Sequence, residues 1–209
     1  MHQTRQETTT LLPIKRKGTK YIARALIAPQ KSIPVVIALR EMLGLAQTAR
    51  EVKELIKDKL IKVNNRIVQD YRESVQLFNS LSIADKAFIL SLNETGKFIF
   101  TETKDTKKRL CKIIGKQLLP GNVIQINMHD GTNAVGKNAM KVNDSVWVDS
   151  ENKVVKHIPM ADAKEAFIFS GKYAGKNGAI KSVADGRAKV TFKDKEEDAD
   201  LDLDSMIAI

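Results

Sequence analysis

Apolar positions between Ser32 and Asp70 change period twice, and each change marks an element. Val35, Val36, Leu39, Met42 and Leu43 recur at the spacing of one helix face. Ser32-Ile33-Pro34 supplies the start, with Ser at the cap and Pro close to the first turn, and Gly44 supplies the stop. Thr48-Ala49-Arg50-Glu51 then reads as a capping box, in which the Thr hydroxyl and the Glu carboxylate satisfy orphan amides of a second helix. That helix turns Val52, Leu55 and Ile56 inward and Arg50, Lys53 and Lys57 outward. Leu60-Ile61-Lys62-Val63, Asn64-Asn65 and Arg66-Ile67-Val68 follow with the alternation and turn chemistry of a β-hairpin. Residues 31–72 thus predict two helices and a hairpin with one cationic face.

Strand patterns dominate the rest of the chain. Residues 73–162 predict a central antiparallel β-domain, with strands at Ser82-Ile83, 87–90, 97–100, 122–127 and 145–148 separated by turns at 93–96 and 129–131. The charged stretch Thr103 to Lys112 alternates poorly and predicts a short helix or loop. Phe88, Phe98, Phe100 and Trp147 lie within apolar runs, which favours core packing over base stacking. Residues 163–209 predict a third β-unit: a strand at 165–169, a loop built on Gly171, Gly175 and Gly178, a further strand pair, and a polar acidic run suited to a solvated end. Residues 1–30 show little periodicity and read as a basic arm, which composition alone allows to be either a solvated tail or a segment that stays extended until phosphates neutralise it.

The segments 48–56 and 62–70 resemble the S-four-type RNA-binding fold found in several ribosomal proteins and RNA-modifying enzymes. Flanking segments sharpen the resemblance. Pro13 to Tyr21, Ser32-Ile33-Pro34, Leu110-Cys111-Lys112-Ile113, the hairpin at 127–133 and Gly171 to Ile180 resemble, in order, landmarks of the archaeal and eukaryotic small-subunit ribosomal proteins of the S-four-e family. The resemblance covers roughly residues 11 to 193. The glycine spacing at 171, 175 and 178, followed by Lys189-Val190-Thr191-Phe192, is similar to the KOW motif of small SH3-like barrels. Residues 1–10 depart from the family in lacking a more basic leader, since Arg5 is their one firm cation.

Charge agrees independently. The net charge is +10, and residues 1–72 hold 15 basic and 6 acidic side chains, a net of +9, whereas 193–204 hold 7 acidic and 2 basic, a net of −5. A cationic front half attracts polyanions and gains affinity by releasing counterions from phosphates. The single cysteine, Cys111, rules out an intramolecular disulfide and a thiolate cluster, and reads as a small core hydrophobe. No apolar run is long enough to span a bilayer, so a cytoplasmic protein without a membrane partner is expected. His2, His129 and His157 share no metal-ligand spacing, and no Gly-x-Ser-x-Gly elbow or Gly-Lys-Ser/Thr loop occurs.

These readings combine into an α+β, multidomain chain. It comprises a basic arm (1–30), an S-four-type module (31–72), a central β-domain (73–162) and a KOW-like barrel with an acidic end (163–209). The resemblance implies a structural constituent of the small ribosomal subunit, not an enzyme, that needs no cofactor, metal or small-molecule substrate. Its partners would be small-subunit rRNA and neighbouring ribosomal proteins, and its role subunit assembly and translation. Expected RNA contacts are Lys15, Arg16, Lys17, Lys20 and Arg24 in the arm, Arg50, Lys53 and Lys57 on the helix, Lys62, Asn64 and Arg66 on the hairpin, and Lys172 and Lys176 in the glycine loop. Two rivals stay open at this level: an RNA-modifying enzyme, for which no catalytic domain is visible after Asp70, and a transcription or translation factor using the KOW-like part.

Overall fold

The computed structural model describes residues 3–136, 139–184, 186–192 and 198–209. It divides into two compact units, Met1–Leu92 with Lys97–Thr106, and Asn93–Gly96 with Lys107–Ile209. The architecture is mostly β with few helices, the coarse arrangement expected from an S-four-type module followed by β-domains. Among the described residues, both α-helical segments fall within the expected S-four-type module.

In the first unit, β1 (Gln3–Thr4) pairs antiparallel with β2 (Tyr21–Ile22), closing the N-terminal segment on itself. Arg5 holds the loop shut. Its Nε donates to the Thr19 carbonyl at 2.8 Å, and its terminal nitrogens donate to the Lys15 carbonyl at 2.6 Å and the Thr19 hydroxyl at 2.9 Å. The arm is therefore not extended: one guanidinium supplies donors to carbonyls that a free chain would leave to water.

β3 (Ser32–Pro34) replaces the expected helix start. It pairs with β6 (Ser74–Gln76), and the Ser32 hydroxyl donates to the carbonyls of Ile27 and Ala28 at 2.6 and 2.9 Å instead of capping a helix. Helix begins only at α1 (Val35–Ile37) and loosens to a π-type turn over Ala38–Met42 before Gly44, at φ +64°, ends it. Val35 through Leu39 are all buried, so this segment is apolar all round, while Met42 and Leu43 are half-buried. α2 (Ala49–Lys57) starts as its sequence predicts. The Thr48 hydroxyl accepts from the Glu51 N–H at 3.2 Å, and the Glu51 carboxylate accepts from the Gln47 N–H at 2.8 Å. Those bonds hold the Glu51 carboxyl below its ordinary value, the Gln47 N–H contributing most.

β4 (Ile61–Val63) and β5 (Arg66–Ile67) are joined by Asn64 and Asn65 at φ +49° and +67°, the two-residue turn whose twist matches the strands it connects. The other edge of β4 pairs with β7 (Ser80–Ile83), and β8 (Lys86–Leu92) and β9 (Phe98–Glu102) complete a sheet of order β5-β4-β7-β8-β9. The hairpin thus continues directly into strands of the 73–162 region, and that region is divided between the two units. The register puts Ile61, Val63, Leu81, Leu90, Leu92 and Phe98 on one buried face. Phe88 and Phe100 share it and are half-buried.

The second unit contains two five-stranded antiparallel sheets. The first comprises β10 (Lys108–Leu119), β11 (Val123–Met128), β12 (Asn133–Gly136), β13 (Ser145–Asp149) and β14 (Val154–Ile158), in the order β12-β11-β10-β13-β14. The second comprises β15 (Glu165–Ile168), β16 (Asn177–Ala184), β17 (Arg187–Thr191), β18 (Ala199–Asp202) and β19 (Met206–Ala208), in the order β18-β17-β16-β15-β19. β10 corrects the helix or loop expected up to Lys112: it is the longest described strand. Its first half is buried on both faces, so alternation is lost. Arg109, Cys111 and Ile113 point one way, where Arg109 meets buried Asp130. Leu110 and Lys112 point the other way, and the Lys112 ammonium donates to the carbonyls of Leu203 and Met206 at 2.6 and 3.0 Å. Burial raises the Cys111 thiol far above its ordinary value.

The acidic end is also corrected in part. Asp194, Glu196 and Glu197 lie outside the described residues, as does His2. Asp198 to Asp204 do not form a loose tail, because β18 is an amphipathic strand with Asp200 and Asp202 outward and Ala199 and Leu201 packed on the core of the second sheet. The chain then returns into that sheet as buried β19.

Candidate nucleic-acid interface

Helix α2 and the hairpin set out the cations of the first unit. Val52 anchors the helix in the core, which leaves Arg50, Lys53 and Lys57 exposed on the opposite side. The Arg50 side chain is 90% exposed and rests 3.3 Å from Glu54, an i,i+4 surface pair of about 0.3–0.5 kcal/mol that a phosphate can displace. Buried Ile61 and Val63 flank Lys62 on β4 and turn it to solvent. Arg66 is paired with Glu73 yet remains 75% exposed. Asn64 plays a structural part: its side-chain oxygen accepts from the Ser80 N–H at 3.0 Å, fixing the turn against β7.

Helix and hairpin meet at Tyr71. The Lys53 ammonium lies 4.9 Å from the Tyr71 ring centroid and the Arg72 guanidinium 5.6 Å from it. Arg72 is clamped by Asp70, with its Nε and a terminal nitrogen at 3.3 and 3.0 Å from the carboxylate. The Arg72 side-chain bonds are the main reason the Asp70 carboxyl sits below its ordinary value.

The N-terminal loop adds exposed Lys15, Lys17 and Lys20, the last 5.4 Å over the Tyr21 ring. Arg16 donates to the Thr8 carbonyl at 3.2 Å, and Arg24 is half-buried. Lys172 and Lys176 belong to the second unit. There Gly171 and Gly175 turn at φ +89° and +88°, Lys172 lies 6.0 Å over Tyr173, and that ring stacks on Phe192 at 4.7 Å. Gly175 and Gly178 leave no room for a side chain: a Cβ would fall 1.9 Å from the Asn93 carbonyl oxygen and 2.2 Å from Val190, respectively. Lys181, close in sequence to this loop, is instead paired with Asp198 at 2.7 Å, and Arg187 lies 3.6 and 3.2 Å from Asp200 and Asp202. Among the described residues no group of three or more His, Cys, Asp or Glu side chains could hold a metal ion.

Comparison with known proteins agrees with this anatomy. Residues 37–79 match the S4 domain, and residues 84–155 match the ribosomal family S4e. The small ribosomal subunit protein eS4 of Archaeoglobus fulgidus is 32% identical over 207 residues, covering 95% of this chain and 88% of that one. The protein of the same name from Methanocella arvoryzae is 30% identical over 177 residues, covering 82% and 76%. The chain belongs to the eS4 family. A crystal structure of the 30S ribosomal protein S4e from Thermoplasma acidophilum has the same fold, with a TM-score of 0.72 at 22% identity over 86% of this chain and 95% of that one.

Within this eS4-family chain the S4 match contains α2, the hairpin and the Tyr71 cluster, and the S4e match contains β10 to β13. Tyr71 and Arg72, which the structure sets beside Lys53, were not singled out from sequence. Their signal was available, because Asp70-Tyr71-Arg72 sets an isolated aromatic between opposite charges just after the hairpin.

Proposed function

We propose that this eS4-family chain is a structural constituent of the small ribosomal subunit. It binds rRNA in the cytoplasm without transforming it, contacts neighbouring ribosomal proteins, and supports subunit assembly and translation. The observation that carries this reading is the outward row Arg50, Lys53, Lys57 and Lys62, set on a helix and hairpin whose other sides are buried, within the S4 match. Rigid elements fix the spacing of these cations. Their affinity comes from counterion release, and the shape of the surface selects RNA geometry and 2′-hydroxyls.

The loop at Lys15, Lys17 and Lys20, with Arg16 and Arg24, extends this cationic surface, as does Arg66 when a phosphate competes with Glu73. Residues 163–209 act as a KOW-type, SH3-like barrel whose Lys172 and Lys176 meet phosphates. Asn64 serves the interface by holding the turn. Replacing Lys53 and Lys57 with Glu tests the reading: each lost phosphate contact lowers the log–log salt slope by about 0.7–0.9. Binding of the double variant to protein-free small-subunit rRNA should weaken, with a slope shallower by about 1.5. An unchanged slope refutes the assigned face.

A further inference from the structure

Two large aliphatic side chains stand exposed beside the cationic face, Leu26 at 54% and Ile27 at 59%. Their backbone is fixed. The Leu26 N–H donates to the Arg72 carbonyl at 3.1 Å, the Ile27 N–H donates to the Ser74 hydroxyl at 2.8 Å, and the Ile27 carbonyl accepts from the hydroxyls of Ser74 and Ser32 at 2.9 and 2.6 Å. This pins a Leu-Ile step against the residue that follows Tyr71, the ring approached by Lys53 and Arg72. Exposed aliphatics on a fixed backbone have only side-chain freedom left to lose on contact, and they mark surfaces that become covered.

Charge selects the occupant. Lys53 and Arg72 outweigh Asp70, and the excess continues onto Arg50 and Lys57 of the same unit. A polyanion fits this surroundings better than a basic ribosomal neighbour does. An unpaired nucleotide needs an apolar or aromatic surface for its base and a cation for its phosphate, and both occur together here. We infer that Leu26, Ile27 and Tyr71 form a platform for one unpaired nucleotide of the bound RNA, with Lys53 leaving the tyrosine ring to meet its phosphate. This rests on the RNA-binding reading above and adds a contact made to a base.

The test is binding of the full chain to protein-free small-subunit rRNA across a salt series, with ultraviolet crosslinking and peptide mapping of the complex. Leu26→Ser with Ile27→Ser changes exposed positions and no charge. It should weaken binding about tenfold, within the range for one lost base contact, and leave the salt slope as it was. Tyr71→Leu should weaken binding similarly, and Tyr71→Phe should restore it. A nucleotide crosslinked within 26–27 or 71–72 supports the platform. If Lys53→Glu with Lys57→Glu weakens binding while the Leu26/Ile27 pair and Tyr71→Leu do not, the platform falls and the RNA-binding reading stands. If the Leu26/Ile27 pair spares RNA binding but loosens a neighbouring protein in assembled subunits, the surface belongs to a protein and the inference is overturned. Absence of any rRNA binding by the unaltered chain overturns both.

Discussion

Asp130→Ala should destabilise the second unit more than any surface change. The Asp130 side chain is 0% exposed and that of Arg109 is 6% exposed, and they pair at 3.0 Å. The same carboxylate accepts from the N–H and hydroxyl of Thr132 at 2.9 and 2.6 Å. Removing it strands a guanidinium among neutral acceptors, the Thr132 hydroxyl at 3.0 Å and the Asn152 side-chain oxygen at 2.5 Å. Breaking one side of a buried pair costs about 3–5 kcal/mol, and these two remaining acceptors place this case near about 3. With a urea m-value of about 2 kcal/mol/M, the midpoint should fall by about 1.5 M. Trp147 reports it well: it is the single tryptophan and pairs across β13 and β10 with Leu110, next to Arg109. Arg109→Met combined with Asp130→Ala should recover at least half of the loss, because no charge is left buried alone. A midpoint shift below about 0.3 M in Asp130→Ala, or a double variant no better than the single one, refutes this account.

Acid should act through the same carboxylate. Burial raises the Asp130 pKa, but the Thr132 hydrogen bonds and the Arg109 charge outweigh it, leaving the native value below the ordinary 3.8. The unfolded chain therefore takes the proton first, so the contribution is complete above about pH 4 and is lost as pH falls through the lowered native value; Asp130→Ala should show a shallower acid loss by the same fluorescence. Gly121→Ala, at φ +81° with open space around it, should cost about 1–2 kcal/mol. Gly175→Ala should cost more, because its Cβ would lie 1.9 Å from the Asn93 carbonyl oxygen; equal urea midpoints would exclude the close approach as the reason for this glycine. Asp200→Asn with Asp202→Asn should release Arg187 and steepen the salt dependence of RNA binding by up to about 0.9, and an unchanged slope would place Arg187 away from RNA.

The parts legible in the sequence were those whose cause is local. The Thr48 to Glu51 cap and the Asn64-Asn65 turn are decided by side chains within a few residues, and both formed where they were read. The misread parts have distant causes. Ser32-Ile33-Pro34 looks like a helix start until β6 offers a strand partner some 40 residues later. β10 looks irregular because Arg109 and Lys112 occupy core positions, and their charges are met by Asp130 and by carbonyls near the C-terminus. The structural role of Asn64, which stands beside the RNA contact proposed for it, is hidden for the same reason, because nothing in its own segment shows that the Ser80 N–H donates to its side-chain oxygen. Asp198 to Asp204 have a period of two that marks a strand, but seven carboxylates from Asp194 to Asp204 obscure the small apolar residues between them.

If the RNA-binding reading proposed above holds, the acidic strand gives a basic chain a way to limit where it touches RNA. A polyanion attracts every exposed cation, so a protein that must seat in one way gains from cancelling cations at the wrong places. β18 does this by register: Arg187 faces Asp202 and Lys189 faces Asp200 across the hairpin, while Lys181 is held by Asp198. The Lys181 hydrogen bond is the main reason the Asp198 carboxyl stays below its ordinary value, so the pairing persists wherever rRNA binding is measured near neutral pH. Lys172, by contrast, lies 6.0 Å over the Tyr173 ring. Within one small sheet, then, the described cations Lys181 and Arg187 are paired with carboxylates, while Lys172 of the glycine loop lies against a ring. On the RNA-binding reading proposed above, these acidic residues would sharpen the RNA-facing surface by removing its competitors.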